Sequence, residues 1–110
     1  MLGARVPIDI KPDATGAVAR DTGGMSVTPN DPAKLPPHLR PTSLPGGQTT
    51  LPVFWISSRN LGEMLAFQAA KKRPDRHGFI EPAVAMQLDT YQTALCGTVL
   101  AWQEWTEEVA

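Results

Sequence analysis

A chain of 110 residues, 42% hydrophobic and 19% charged with a formal net charge of −1, has room for one domain with one core, and is not composed like a disordered polyelectrolyte. No apolar run approaches the roughly 18 residues of a membrane-spanning helix, and no secretion or targeting signal is visible, so neither a membrane nor an export route is expected. The near-neutral balance argues against sequence-independent binding to nucleic acid, and the single Cys96 excludes an internal disulfide or a multi-thiolate metal site, which suits the cytoplasm.

Near the N-terminus Val6, Ile8 and Ile10 alternate with polar or cyclic residues, but Pro7 limits this segment to an edge strand at best. Gly23-Gly24 predicts a turn into a short strand, Met25-Ser26-Val27. Residues 28–50 form a Pro-rich loop carrying Pro29, Pro32, Pro36, Pro37, Pro41 and Pro45, which rules out regular helix or central strand. The loop is expected to pack over one face of the domain, with a polyproline ligand as the other reading. Residues 51–56 predict a strand buried on both faces, ending at Ser57-Ser58, where a hydroxyl would cap a short helical turn through Leu65.

Residues 66–69 and 78–84 read as the arms of a hairpin around a basic tip with Lys71, Lys72, Arg73 and Arg76, although Pro82 weakens the second arm. Leu88, Tyr91, Leu95, Val99, Trp102 and Thr106 recur at three- and four-residue spacing, which predicts one long amphipathic helix over 88–106. The expected architecture is a single α+β domain over residues 1–110, a small and mainly antiparallel sheet with that helix packed on it.

P-loop, dinucleotide-fingerprint, zinc-protease and nucleophile-elbow motifs are absent. Several features remain as candidates for chemistry. Asp21-Thr22-Gly23-Gly24 shares Asp-Thr-Gly with aspartic proteases, but one copy cannot make their carboxylate dyad, and a glycine turn before a strand accounts for it equally. In His77-Gly78-Phe79-Ile80-Glu81, an extended chain puts His77 and Glu81 on one strand face about 13 Å apart, able to contact opposite ends of one ligand. The basic tip could hold a phosphate or pyrophosphate, or could be a solvated loop. Trp102 falls in the apolar stripe, Trp105 on its rim where a partner could dock, and His38 stands isolated among prolines.

Taken in order, Asp-Thr-Gly-Gly-x-Ser-Val at 21–27, His-x-x-Ile-x-Pro-Ala-x-x-Met at 77–86 and the helix ending near Trp105 resemble a type VI secretion effector toxin family. The resemblance covers about residues 21–105. It implies an ADP-ribosyltransferase-like fold, dependence on NAD, action in a bacterial cytoplasm, and an immunity or antitoxin protein as partner. Residue by residue it points to Met25, Ser26 and His77, where the family has Thr, Ser and His; a thioether cannot donate the threonine's hydrogen bond. Arg5 is the counterpart of a phosphate-binding residue on the first strand, and stands so near the first residue that the N-terminal part of the family fold is expected to be missing or remodelled.

In this reading Ser26, His77 and Glu81 are the catalytic candidates, and Arg5, Gly24, Met25 and Arg76 those that bind NAD. Ser26 bonds the ribose or nicotinamide, Arg5 or Arg76 the pyrophosphate, and His77 orients the ribose. The family has no acid at Glu81, but a carboxylate beside that ribose would stabilise charge developing there. The alternative is a shortened, non-catalytic relative acting as a protein-binding or assembly module.

Overall fold

The computed structural model describes residues 3, 4, 6 and 8–106. Its strands are β1 (Ala17–Val18), β2 (Met25–Val27), β3 (Phe54–Trp55), β4 (Leu65–Ala69), β5 (Gly78–Pro82), β6 (Met86–Gln87) and β7 (Gln103–Glu104), with a single α-helix among the described residues, α1 (Leu88–Gly97). The domain is α+β and its strand pairs are antiparallel, but they form three small sheets rather than one: β1–β6, β2–β5–β4 and β3–β7. The predicted hairpin is the backbone of the central sheet. Leu65 opposes Pro82 and Ala69 opposes Gly78, and Pro82 is tolerated as the last residue of β5.

Local chemistry explains the entry to β1 and α1. The Asp13 carboxylate accepts from the Thr15 N–H, the Thr15 hydroxyl and the Ala17 N–H, closing a turn in which Gly16 takes φ +80°. Those bonds hold the Asp13 carboxyl below its ordinary value, the Thr15 hydroxyl contributing most. The Gly16 carbonyl then accepts from Leu88 N–H, one of the donors a helix start leaves open. Asp89 in the first turn complements the helix dipole. On the far side of α1, Gln92 pairs its amide with both backbone groups of Ala4, at 2.9 and 2.7 Å, tying the N-terminal segment to the helix.

Four expectations are corrected. The helix stops at Gly97 instead of running to 106. Glycine is a poor helix interior residue, and the Thr98 hydroxyl turns back to the Leu95 carbonyl at 2.7 Å while accepting from the Trp102 indole at 2.9 Å. A 3-10 turn, Val99–Ala101, follows, leaving Val99 exposed and sending the chain into β7. The strand over 51–56 shrinks to Phe54–Trp55, an exposed pair bonded only to β7, since Pro52 has no N–H to give a ladder and Leu51 faces solvent. Ser57 caps nothing with its side chain: the turn after it is a 3-10 turn, Ser58–Asn60. Of the N-terminal alternation only Ile10 is buried, bridged to Gly23, while Ile8 is exposed and Pro7 lies outside the described residues.

The core is thin: Ala4, Ile10, Val18, Leu61, Leu65, Ile80, Tyr91 and Leu95, with Trp102 and Met25 packed against it. Tyr91, 0% exposed, carries the polar bridge within it. Its hydroxyl donates to the Ile80 carbonyl at 2.5 Å and accepts from the Met25 N–H at 3.0 Å, so one phenol on α1 joins β2 to β5. Burial pushes its pKa up to about 12.

A folded-state value above the unfolded one near 10 means that this group's contribution is present below pH 10 and is lost as pH rises toward 12, on the order of 3 kcal/mol in all. Tyr91 is the sole tyrosine, so tyrosinate absorbance reports it directly. Ionisation should be delayed to about pH 12 or coincide with unfolding. Tyr91→Phe should lower the unfolding free energy by about 1–3 kcal/mol in urea titrations.

Candidate functional site

Strand β2 positions the site, and the two glycines before it dictate where β2 runs. Gly23 has φ +104°, and a side chain on either Gly23 or Gly24 would overlap a carbonyl oxygen, that of Asp9 or of Ile80 respectively. Gly24 is therefore buried where backbone packs on backbone, and lines neither cleft described below. The resemblance had placed it at the ligand; its observed work is to let β2 lie close to β5.

From there the register brings Ser26 opposite Phe79 and beside His77. The Ser26 hydroxyl lies 3.4 Å from His77 Nε2, at the long end for a hydrogen bond, and the imidazole sits against the Phe79 ring with centroids 5.0 Å apart. Both side chains are exposed. Two residues 51 apart in sequence are thus brought together.

Glu81 is not brought to them. Its side chain is 2% exposed, and its carboxylate accepts from Arg20 Nε at 2.6 Å and from the Asp21 N–H at 3.0 Å. This corrects the expectation of a free carboxylate at the ligand, and the physical reason is local. Asp21 holds a left-handed φ of +67°, costly for a non-glycine residue, and Glu81 clamps that turn from below while Gln68 holds the Asp21 side chain at 2.8 Å. The Thr22 hydroxyl closes the same turn on Ala19. Arg20 was not singled out in the sequence; only the pairing of β2 with β5 shows that it meets Glu81.

Two clefts flank β2 and share Ser26, Val27, Thr28 and Leu35. The first, about 760 Å³, is aromatic and apolar, with Met25, Trp55, Phe67, Trp102 and Trp105 on its walls. The second, about 410 Å³, is lined by Lys34, Arg40, Arg73, Arg76 and His77 and by no carboxylate. The Pro-rich segment supplies its outer wall through two 3-10 turns, Pro32–Lys34 and Pro37–Leu39, so it packs against the domain as predicted. Arg40 organises that wall, donating to the Leu35 carbonyl at 3.1 and 2.8 Å and to that of Pro45 at 2.9 Å.

Of the remaining candidates, Met25 and Arg76 line the first and second clefts respectively, whereas Arg5 lies outside the described residues. His38 is exposed and lines neither cleft. Lys34 and Arg40 were missed in the sequence, since nothing in a Pro-rich run signals that its cations face a hairpin tip. Among the described residues no cluster of His, Cys, Asp and Glu has the make-up of a metal site, and no helix is long and apolar enough to cross a membrane. No family model, curated protein or solved structure matches the chain.

The Arg20–Glu81 pair makes an asymmetric prediction. Arg20→Ala leaves a carboxylate buried without its cation and should cost about 2–3 kcal/mol of stability, whereas Glu81→Gln releases a half-exposed Arg20 to water and should cost about 1 kcal/mol. Urea unfolding of the two variants decides it; a larger cost for Glu81→Gln would contradict this account of the turn.

Proposed function

We propose that this chain is a toxin-like domain that binds NAD across β2 and acts as an ADP-ribosyltransferase with the corresponding fold. The observation that carries the reading is the Ser26–His77 pair, set at the joint between an aromatic cleft and a cationic one. A dinucleotide has the matching parts: flat bases that stack on aromatic walls, and a diphosphate that favours guanidinium groups. NAD supplies the glycosidic bond whose cleavage releases nicotinamide.

The chain's own residues supply positioning. Ser26 offers a hydroxyl to the ribose or nicotinamide, and His77 orients the ribose through the ring nitrogen that faces Ser26. Arg76 serves the diphosphate from the hairpin side. Met25 adds apolar contact in the first cleft and no hydrogen bond. Glu81 acts at one remove, by holding the Arg20–Asp21 turn from which β2 starts. A toxin of this kind, acting in a bacterial cytoplasm, requires an immunity or antitoxin partner that keeps it silent in the producing cell.

One observation favours a second reading. With Glu81 engaged by Arg20, the carboxylate expected to stabilise charge on the ribose is not at the clefts, as in a shortened relative that works as a protein-binding or assembly module.

Titration of NAD followed by tryptophan fluorescence separates them. The transferase reading expects saturable binding, weakened about fivefold by Ser26→Ala and by His77→Ala, the effect of one lost hydrogen bond of about 1 kcal/mol each. It also expects nicotinamide release and stunted growth of a bacterial host expressing the chain without a partner. Absence of binding at millimolar NAD would overturn it, and binding without nicotinamide release would leave the module reading.

A further inference from the structure

The cationic cleft carries an inference of its own. Its walls come from two segments remote in sequence. Arg73, Arg76 and His77 belong to the tip joining β4 to β5, and Lys34 and Arg40 to the Pro-rich segment. The tip is a built turn: Arg73 takes φ +53°, and its carbonyl accepts from the N–H groups of both Arg76 and His77 at 2.9 Å. Opposite, Arg40 is held by two backbone carbonyls, which fixes its charge in the wall. Among the described residues the side chains of Lys34, Arg73 and Arg76 have neither an ion-pair nor a hydrogen-bond partner, and the Ser26 hydroxyl stands at the mouth toward the aromatic cleft. Asp75, the one acid of the tip, is not on the cleft wall.

Like charges gathered from two segments onto one cleft repel one another. A polyanion in the cleft would turn that repulsion into charge-assisted hydrogen bonds, and guanidinium forks with an ammonium suit the oxygens of linked phosphates. We propose that this cleft is a diphosphate-binding site, closed on one side by the hairpin tip and on the other by the Pro-rich segment. The inference rests on the dinucleotide reading for the natural ligand and on the cleft's own cations for the chemistry. The diphosphate is recognised as a group, whether free or esterified.

The test is calorimetric titration of the full chain with inorganic pyrophosphate at low ionic strength, then with NAD. Saturable pyrophosphate binding is expected. The double variant Arg73→Gln, Arg76→Gln should weaken it by about tenfold or more, and Lys34→Gln, from the opposite wall, by about threefold. Lys71→Gln with Lys72→Gln removes the same charge from the same tip but off the cleft wall, and should change affinity by less than about twofold. Far-UV circular dichroism checks folding throughout, and the Lys34 variant tests the site should the arginine variant unfold. Absence of saturable binding, or equal weakening by the lysine and arginine pairs, would overturn the site in favour of diffuse charge. Pyrophosphate binding with this variant pattern but without NAD binding would uphold the site and overturn the dinucleotide reading. NAD binding indifferent to Arg73, Arg76 and Lys34 would overturn the site and with it the role of Arg76 in the dinucleotide reading, leaving NAD bound elsewhere.

Discussion

One phenol hydroxyl holds the centre of this domain together. Tyr91, wholly buried on α1, gives its proton to the Ile80 carbonyl and takes the Met25 N–H, so the helix, β5 and the start of β2 meet at one oxygen. Strands of two to five residues supply few ladder bonds, and the buried core has only eight hydrophobic members among the described residues. In so thin a core a polar group left without its partners would be a serious loss, and a satisfied one fixes geometry that apolar packing alone leaves loose. The position of Ser26, one residue beyond Met25, follows directly from that bridge.

A second polar connection acts on the turn that leads into the same strand. Glu81 neutralises Arg20 and caps the Asp21 N–H, which stabilises a left-handed aspartate just before Gly23-Gly24. The glycines then allow β2 to approach the Ile80 backbone closely. The strand bearing Ser26 is thereby held between a buried carboxylate and a buried phenol, while Ser26 and His77 remain open to solvent. Rigid support below and exposed polar groups above is the arrangement a binding site needs, because a ligand then meets side chains already in position.

The Pro-rich segment contributes to the site rather than merely connecting strands. Its prolines restrict the backbone and its 3-10 turns place Lys34 and Leu35 at the clefts, with Arg40 binding the segment to itself through backbone carbonyls. Leu35 and Thr28 border both clefts, so a ligand crossing from aromatic to cationic surroundings would pass this segment and β2 together.

Local signals made the hairpin, the glycine turn, the basic tip and the first turns of α1 legible, since each depends on spacing within a few residues. The α+β class and the antiparallel pairing followed from them. Ser26 and His77 were each singled out by a local motif, but spacing offers no reason for residues 51 apart to meet, and the pairing of β2 with β5 brings them together. Periodicity misled at the C-terminus: Trp102 is half-buried as a helical stripe requires, but it reaches the core after a turn set by Gly97 and the Thr98 hydroxyl. It misled at residues 51–56 because apolar and β-branched character outweighed the missing N–H of Pro52. By itself the sequence determined the β4–β5 hairpin, the glycine turn into β2 and the start of α1, together with which side chains have reactive chemistry. Tertiary structure alone decided that Glu81 meets Arg20 and not the site, and that Lys34 lines one cleft with Arg73 and Arg76, because a strand's partner and register are set by contacts across long stretches of chain that no local pattern encodes.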